Sequence, residues 1–150
     1  MVDDRNGAWS GGVVLAQPPG AGRLLGEIRF AELDAVFLMN LRGWLARPLR
    51  GRGPDEVRDV TIVLGELLTN AFRHAEPPFA IRLTAPADRA GIRVEVCDGT
   101  ASPAQDWPLG RGLLIVRDIC PHWGVVSRPG GKIVWAETVP EYGRARFRAG

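Results

Sequence analysis

Hydrophobic residues recur at helical spacing in two stretches of the first half of the chain, residues 31–46 and 56–75. Apolar side chains three and four residues apart share one face of an α-helix, so both stretches are predicted to be helices. The apolar positions of the first stretch are Leu33, Val36, Phe37, Met39, Leu41, Trp44 and Leu45. Those of the second stretch are Val57, Val60, Ile62, Val63, Leu64, Leu67, Leu68, Ala71 and Phe72. The second helix has apolar residues on so many sides that it must be mostly buried.

Prolines and one acidic residue mark the predicted helix ends. Pro48 ends the first helix, and Pro77 with Pro78 ends the second, because proline cannot donate the backbone hydrogen bond that continues a helix. Asp55 is predicted to be the N-cap of the second helix, since a carboxylate there accepts hydrogen bonds from free backbone N–H groups.

Five other segments have the apolar content and the flanking turns of β-strands. They are residues 24–30, 79–84, 92–96, 123–127 and 132–139. A short apolar helix is predicted from Leu113 to Cys120, between the third strand and the fourth. Helices followed by strands, with one later helix, indicate an α+β fold in which a layer of helices covers one sheet.

Composition fits one globular domain. The chain has 150 residues, of which 45% are hydrophobic, and it has no internal repeat. Residues 1–22 are rich in Gly, Pro, Asp and Ser and are predicted to be a flexible N-terminal segment. The domain is predicted to span residues 23–140, and the Arg-rich residues 141–150 are predicted to be a flexible basic tail.

Charge and hydrophobicity exclude several classes of function. The formal net charge is only +2, without the clustered basic run that binding to nucleic acid requires. No apolar run approaches the roughly 18 residues of a membrane span, and Val13–Ala16 is too short for the core of a signal peptide. The protein is therefore expected to be cytoplasmic. Lys132 is the single lysine among 19 basic residues, an arginine bias typical of GC-rich bacterial genomes.

The two cysteines, Cys97 and Cys120, lie in apolar segments and are predicted to be reduced core residues. Their spacing from His74 and His122 matches no compact zinc motif.

Three polar residues stand four apart on the second helix: Glu66, Asn70 and His74. At about 100° per residue they form one stripe on an otherwise apolar helix. An amide oxygen such as that of Asn70 suits Mg²⁺, and a carboxylate one turn away can take a proton from an attacking hydroxyl. In the alternative interpretation, Glu66 and Asn70 are exposed and His74 caps the carbonyls at the helix end.

Two glycine-containing segments add candidate ligand contacts. Asp98 ends a buried strand and is followed by Gly99, so its carboxylate can point into a cleft and accept a hydrogen bond from an exocyclic amine. Gly110-Arg111-Gly112-Leu113 opens a helix, whose free N–H groups suit a phosphate. Taken alone, the first segment is typical of a simple turn and the second of a simple loop-to-helix junction.

In order along the chain, these segments resemble the anti-sigma-factor serine/threonine kinases of bacteria, a branch of the gyrase, heat-shock and histidine-kinase (GHKL) ATPase superfamily. The resemblance runs from about Leu24 to Glu137. It is carried by an N-box at residues 66–75, glycine boxes at 98–100 and 110–113, and closing strands at 123–125 and 130–137.

The resemblance implies a two-layer α/β sandwich of the GHKL fold, with a mixed sheet covered by helices on one face. Mg²⁺-ATP would lie between the N-box helix and a mobile lid, with Asn70 coordinating the metal and Glu66 as the catalytic base. Asp98 would receive the adenine amino group, with Thr100 beside it. The residues implied to line the phosphates are Gly110, Arg111, Gly112 and Leu113. His74 is assigned only a packing role at the helix end.

Three departures from the family pattern concern catalysis. Thr100 stands where relatives usually have Gly. Ile133 stands where relatives commonly have a Thr that helps to bind the base. The predicted lid, residues 98–110, contains no Lys or Arg, and the nearest cation is Arg111. Phosphoryl transfer relies on cations to stabilise the charge that develops on the transferred group.

The resemblance favours an ATP-binding kinase that phosphorylates an anti-sigma factor antagonist, sequesters a sigma factor and forms a homodimer. A catalytically weak or silent nucleotide-gated binding module is the alternative that the cation-poor lid supports. A third alternative is an interaction domain that binds no nucleotide. A histidine-kinase fragment is disfavoured, because the chain shows no helical phospho-acceptor hairpin and its lid is short.

Overall fold

A six-stranded mixed sheet forms the frame of the protein. The computed structural model describes residues 13–14, 21–32, 34–100 and 111–140. The strands are β1 (Val13–Val14), β2 (Gly22–Phe30), β3 (Phe79–Pro86), β4 (Arg93–Asp98), β5 (His122–Arg128) and β6 (Gly131–Glu137). Their order across the sheet is β1-β5-β6-β4-β3-β2. β1 pairs with β5 in parallel and all other pairs are antiparallel, so the predicted mixed sheet is confirmed.

The five predicted strands correspond to β2–β6, with ends that differ by at most two residues. Strand β1 was not predicted, because two valines inside a segment rich in Gly and Pro have no measurable alternation. Residues 1–22 and 141–150 were predicted to be flexible. Most of these residues lie outside the described ranges.

Within the described residues, three helices accompany the sheet: α1 (Ala35–Leu45), α2 (Pro54–His74) and α3 (Arg111–Ile119). α1 begins at Asp34, whose carboxylate accepts a hydrogen bond from the backbone N–H of Phe37 at 2.8 Å. None of the helices in the described part of the chain has the length and hydrophobicity that a membrane crossing needs.

The predicted N-cap of α2 is wrong. Gly53 occupies that position without a side-chain hydrogen bond, and Pro54 is the first helical residue. Proline suits this position because its ring presets the helical φ and its missing N–H would have had no partner there. Asp55 therefore lies inside the first turn, where its charge is favourable to the helix dipole, and it pairs with Arg58 at 3.3 Å.

One core joins the three helices to one side of the sheet, which we call the helix side. It includes Leu41 from α1, Leu64 from α2, Val116 from α3 and Val96 from β4. The prediction that α2 is mostly buried holds for its core residues, Val60, Val63, Leu64, Leu67, Leu68 and Ala71. It is wrong for Ile62 and Phe72, which are 38% and 62% exposed.

Strand β4 is buried along its whole length, and its residues alternate between the two sides of the sheet. Val94 and Val96 belong to the helix-side core, together with Val134 and Ala136 of β6. The intervening residues of β4 are Arg93, Glu95 and Cys97, which we place on the far side. The fold is therefore the predicted α+β arrangement, with helices packed on one side of the sheet.

The far side carries a ladder of alternating charges across four strands. Glu27 of β2 lies 3.1 Å from Arg82 of β3, and Arg82 lies 3.9 Å from Glu95 of β4. Arg93 lies 3.5 Å from Glu95 and 3.6 Å from Glu137 of β6. Arg93, Glu95 and Glu137 are buried, and buried charges are tolerated only when they are paired. The ladder therefore ties the strands together and specifies their register.

Both cysteines are free and buried, as predicted. Desolvation raises the pKa of the Cys97 thiol and that of the Cys120 thiol, so neither is a reactive thiolate at neutral pH.

We expect Glu137→Gln to lower the free energy of unfolding by about 3 kcal/mol, because the change leaves Arg93 buried without its full charge partner. Arg89 also loses an ion pair, since its Nη2 lies 2.7 Å from Glu137 Oε2. Urea denaturation monitored by circular dichroism measures the change. The matched control is Asp88→Asn, which removes the exposed partner of the same Arg89 and should cost less than about 1 kcal/mol. Equal, small losses in the two variants would show that the ladder does not stabilise the sheet.

Candidate functional site

Asn70 is a buried polar residue on the buried face of α2, with 6% of its surface exposed. Its side-chain Nδ2 is shielded from solvent and has no hydrogen-bond partner in the described part of the chain. An unsatisfied buried amide costs about 1–3 kcal/mol, so native proteins keep one where a ligand completes it. The alternative interpretation, in which Asn70 faces water, is therefore wrong.

Glu66 lies one helical turn before Asn70 and is half-buried. Its carboxylate therefore lies on the same side of the helix as Asn70 and is partly accessible to solvent. His74 is the last residue of α2 and is exposed, which agrees with its predicted place at the helix end.

Asp98 is the last residue of β4 and is 1% exposed. Because it follows Val94 and Val96 at intervals of two, its side chain points to the helix side of the sheet, as those of the core do. Strand pairing sets it directly opposite Lys132 of β6, which is 2% exposed. α2 and α3 pack against each other and α2 packs against β4, so Asn70 and Asp98 both lie on the helix side of the sheet.

A buried ion pair joins these two residues. Lys132 Nζ lies 3.1 Å from Asp98 Oδ1 and 3.0 Å from Oδ2. The ammonium is aligned for a hydrogen bond to Oδ1 only, so Oδ2 remains a buried acceptor without a hydrogen bond. Burial lowers the pKa of Lys132, and the hydrogen bond to Asp98 opposes that shift. Both carboxylate oxygens therefore lie against the ammonium, inside the protein.

The turn after Asp98 is anchored to the end of α2. The backbone N–H of Thr100 donates to Asp98 Oδ1 at 2.8 Å, and the Thr100 hydroxyl accepts from the backbone N–H of Glu76 at 2.9 Å. The Gly99 N–H donates to the Glu76 carbonyl at 2.7 Å. Thr100 therefore fixes the carboxylate, a contact that the sequence did not indicate; its hydroxyl hydrogen is still available to a ligand.

Helix α3 begins at Arg111, two residues before the predicted start. Arg111, Gly112 and Leu113 therefore form its first turn, whose backbone N–H groups have no partner within the helix. Gly110 and the rest of the predicted lid, residues 101–110, lie outside the described residues.

Ile133, the β6 residue that stands in place of the family's base-binding Thr, pairs with Cys97 and so points to the far side, away from Asp98. Lys132 is the residue that meets Asp98, and the only available signal was that it is the single lysine of the chain. A cavity of about 630 Å³ also opens on the far side, lined by residues that include Cys97, Arg82 and Glu27. It is therefore separate from the site around Asp98.

Comparison with protein families identifies the domain type. Residues 31–138, more than two-thirds of the chain, match the family described as the histidine kinase-like ATPase domain. The matched range contains α1–α3, strands β3–β6 and all of the described candidate site residues. Comparison with curated proteins gives no match.

We expect Gly131→Ala to lower the free energy of unfolding by about 1–3 kcal/mol, because the added Cβ would overlap the backbone carbonyl oxygen of Asp98. Chemical denaturation measures the loss. Gly43→Ala is the control, since nothing lies within 4 Å of a Cβ at this helical position. It should raise stability by about 0.5–1 kcal/mol. A Gly131→Ala protein as stable as the wild type would mean that β6 can move away from Asp98.

Proposed function

Because the chain belongs to the family of histidine kinase-like ATPase domains, we propose that it is a bacterial protein serine/threonine kinase of the anti-sigma-factor type. In this proposal it binds Mg²⁺-ATP, phosphorylates an anti-sigma factor antagonist and sequesters a sigma factor. One observation supports it above the others. A buried amide, Asn70, has an unsatisfied Nδ2 one turn from a half-buried carboxylate, Glu66.

The residues at the site fit a nucleotide triphosphate with its metal. The unpaired Nδ2 of Asn70 can donate to a phosphate oxygen, and its Oδ1 is the hard oxygen ligand that Mg²⁺ prefers. No group of three acidic, histidine or cysteine residues gathers within the described ranges, so the phosphates themselves would supply most of the other ligands. Bound Mg²⁺ would neutralise charge on the β- and γ-phosphates.

Other elements would hold the rest of the nucleotide. Asp98, whose carboxylate lies against Lys132, would accept a hydrogen bond from the amino group of the base through Oδ2. The first turn of α3 offers free N–H groups and the positive end of a helix dipole to the phosphates. Residues 111–113 form this turn, and Gly110 precedes it in the sequence.

Glu66 would act as the general base. Its carboxylate takes the proton of the antagonist's serine or threonine hydroxyl while the hydroxyl oxygen forms its bond to the γ-phosphorus. The bond from that phosphorus to the β–γ bridging oxygen breaks, and ADP leaves. A base of this kind contributes about 10²–10⁴-fold to the rate.

A second candidate function is a nucleotide-gated binding module without turnover. The observation behind it is the charge of the predicted lid, in which Asp98 and Asp106 are the only charged residues. Lys132 offers no replacement cation, because it is buried against Asp98. Without a cation at the transferred phosphoryl group, the transition state would lose several kcal/mol of stabilisation.

The expected partners are the antagonist, a sigma factor and a second copy of the chain, in the cytoplasm. The family resemblance supports these expectations.

We expect Asn70→Ala to weaken Mg²⁺-ATP binding by about tenfold or more, because the variant loses a metal ligand and a phosphate donor. Isothermal titration calorimetry measures the dissociation constant. ATP in the presence of EDTA should show a smaller loss, since the metal contact is then absent from both proteins. Asn40→Ala, which changes an exposed asparagine of α1, is the control and should bind as the wild type does. The third alternative is tested by the melting temperature. If Mg²⁺-ATP raises the melting temperature of neither the wild type nor Asp98→Ala, the chain is an interaction domain that binds no nucleotide.

We expect Glu66→Gln to reduce transfer of labelled phosphate from ATP to the cognate antagonist by about 100-fold or more, because the amide cannot accept the proton. Its ATP dissociation constant should stay within about threefold of the wild-type value. Glu76→Gln is the matched control, because this glutamate is exposed and its hydrogen bonds to Gly99 and Thr100 are made by its backbone. Undiminished transfer in Glu66→Gln would overturn the base assignment. A wild-type protein that binds ATP but never labels the antagonist would favour the silent module.

A further inference from the structure

The cavity of about 630 Å³ on the far side of the sheet has no role in the proposed function. It lies across β2, β3 and β4 and reaches Arg128, the last residue of β5. Sites for small molecules typically have volumes of about 300–1,000 Å³. The cavity can therefore hold a small organic ligand, and the chemistry of its lining decides which kind.

Cations outnumber anions in this lining. Three arginines, Arg29, Arg82 and Arg128, share the cavity with one carboxylate, Glu27. Glu27 is divided between two of them, since its Oε1 lies 2.8 Å from Arg29 Nε and its Oε2 lies 3.1 Å from Arg82 Nε. Glu95, which lies outside the lining, is 3.9 Å from Arg82, beyond the reach of a hydrogen bond. The lining therefore has an excess of positive charge.

Arg128 is the cation of the cavity that lacks a counter-charge. It is exposed, and it forms no ion pair with another residue that the structure describes. Burial raises the pKa of the Cys97 thiol, and the positive charges of Arg128 and Arg82 oppose that shift, so both guanidinium groups lie near the thiol. A guanidinium carries its N–H donors in a planar fork that fits a carboxylate or a phosphate. The two arginines can therefore meet one oxyanion together.

Another part of the lining is apolar. It consists of Phe30, Pro78 and Phe79, which we call the apolar wall, and the rings of Phe30 and Phe79 stack with centroids 5.4 Å apart. Strand pairing sets Phe30 opposite Phe79 and, three residues along, Glu27 opposite Arg82. At about 3.4 Å per residue, a ligand that reaches from the apolar wall to Arg82 is about 10 Å long.

We propose that this cavity is a second binding site, for a small organic anion that joins a carboxylate or phosphate group to an apolar body, about 10 Å long in all. Arg128 and Arg82 bind the anionic group, and the apolar wall contacts the body. The site lies on the opposite side of the sheet from Asp98, so it neither uses nor requires the proposed nucleotide site.

The test titrates three probes into the full chain without nucleotide. Phenylpropionate carries a carboxylate on an aromatic body, phenylethyl phosphate carries a phosphate, and phenylpropionamide is the neutral match to the first. Two-dimensional amide NMR measures the dissociation constants and locates the probe, because the amides of Ala80 and Cys97 should shift. We expect at least one anion to bind with a dissociation constant of about 1 mM or below, and the neutral amide to bind about tenfold more weakly. The anion that binds more tightly identifies the anionic group of the ligand.

Two variants test the lining. Arg128→Gln should weaken binding of the anion by about tenfold, because a charge-assisted hydrogen bond is lost. Arg50→Gln is the matched control, since it removes the same charge from an exposed arginine outside the cavity and should bind as the wild type does. Ala80→Leu keeps every charge and fills part of the cavity, so it should bind neither anion.

Several results would overturn the proposed anion site. One is equal binding of phenylpropionate and its neutral amide, and another is equal affinity in Arg128→Gln and Arg50→Gln. A third is the absence of shifts around Cys97 with either anion at ten times the expected dissociation constant. If Ala80→Leu does not fold, the comparison of Arg128→Gln with Arg50→Gln still decides. Because no measurement includes ATP, failure of the proposed kinase function would leave these results unchanged.

Discussion

The antiparallel pairing of β4 with β6 is the constraint on which both faces of the sheet depend. It sets Asp98 opposite Lys132 on the helix side, and it sets Arg93 opposite Glu137 on the far side. A slip of one residue would turn Asp98 away from the helices and bring Arg93 into the apolar core. The charges on both sides oppose that slip, since each would lose its partner in a buried place. The same register therefore specifies the fold and assembles the site.

The two faces use buried charge differently. On the far side, carboxylates and guanidinium groups alternate from Glu27 to Glu137, and each meets an opposite charge. Both sides also hold buried polar atoms without an aligned hydrogen bond in the described residues, among them Asn70 Nδ2 and Asp98 Oδ2 on the helix side and Arg82 Nε and Trp135 Nε1 on the far side. Unsatisfied groups of this kind reduce stability, and proteins keep them where a ligand will meet them. The far side thus holds a continuous charge ladder, whereas the helix side holds the buried pair of Asp98 and Lys132 and the buried amide of Asn70.

The link between Glu76 and the turn at Gly99–Thr100 gives this surface its rigidity. Two hydrogen bonds connect Glu76, just after α2, to Gly99 and Thr100, just after β4, and a third from the Thr100 N–H holds the Asp98 carboxylate to this turn. A ligand held by both residues would span elements whose relative position is already fixed, which lowers the entropy cost of binding. The chain enters residues 101–110 directly after this anchor.

Local patterns in the sequence were enough to predict the helices, the strands β2–β6 and the stripe of Glu66 and Asn70 on α2, because helical and strand periodicity are properties of neighbouring residues. They also predicted Asp98 as the polar end of a buried strand. They did not predict β1. They also placed the N-cap of α2 at Asp55, because both an acidic N-cap and a proline at the first helical position are signals of a helix start, and here the proline marks it. Which side of the sheet each β6 residue faces was decided only by the tertiary structure. Lys132 and Asp98 are far apart in the chain, and only the pairing of their strands determines that the lysine, and not Ile133, meets the carboxylate.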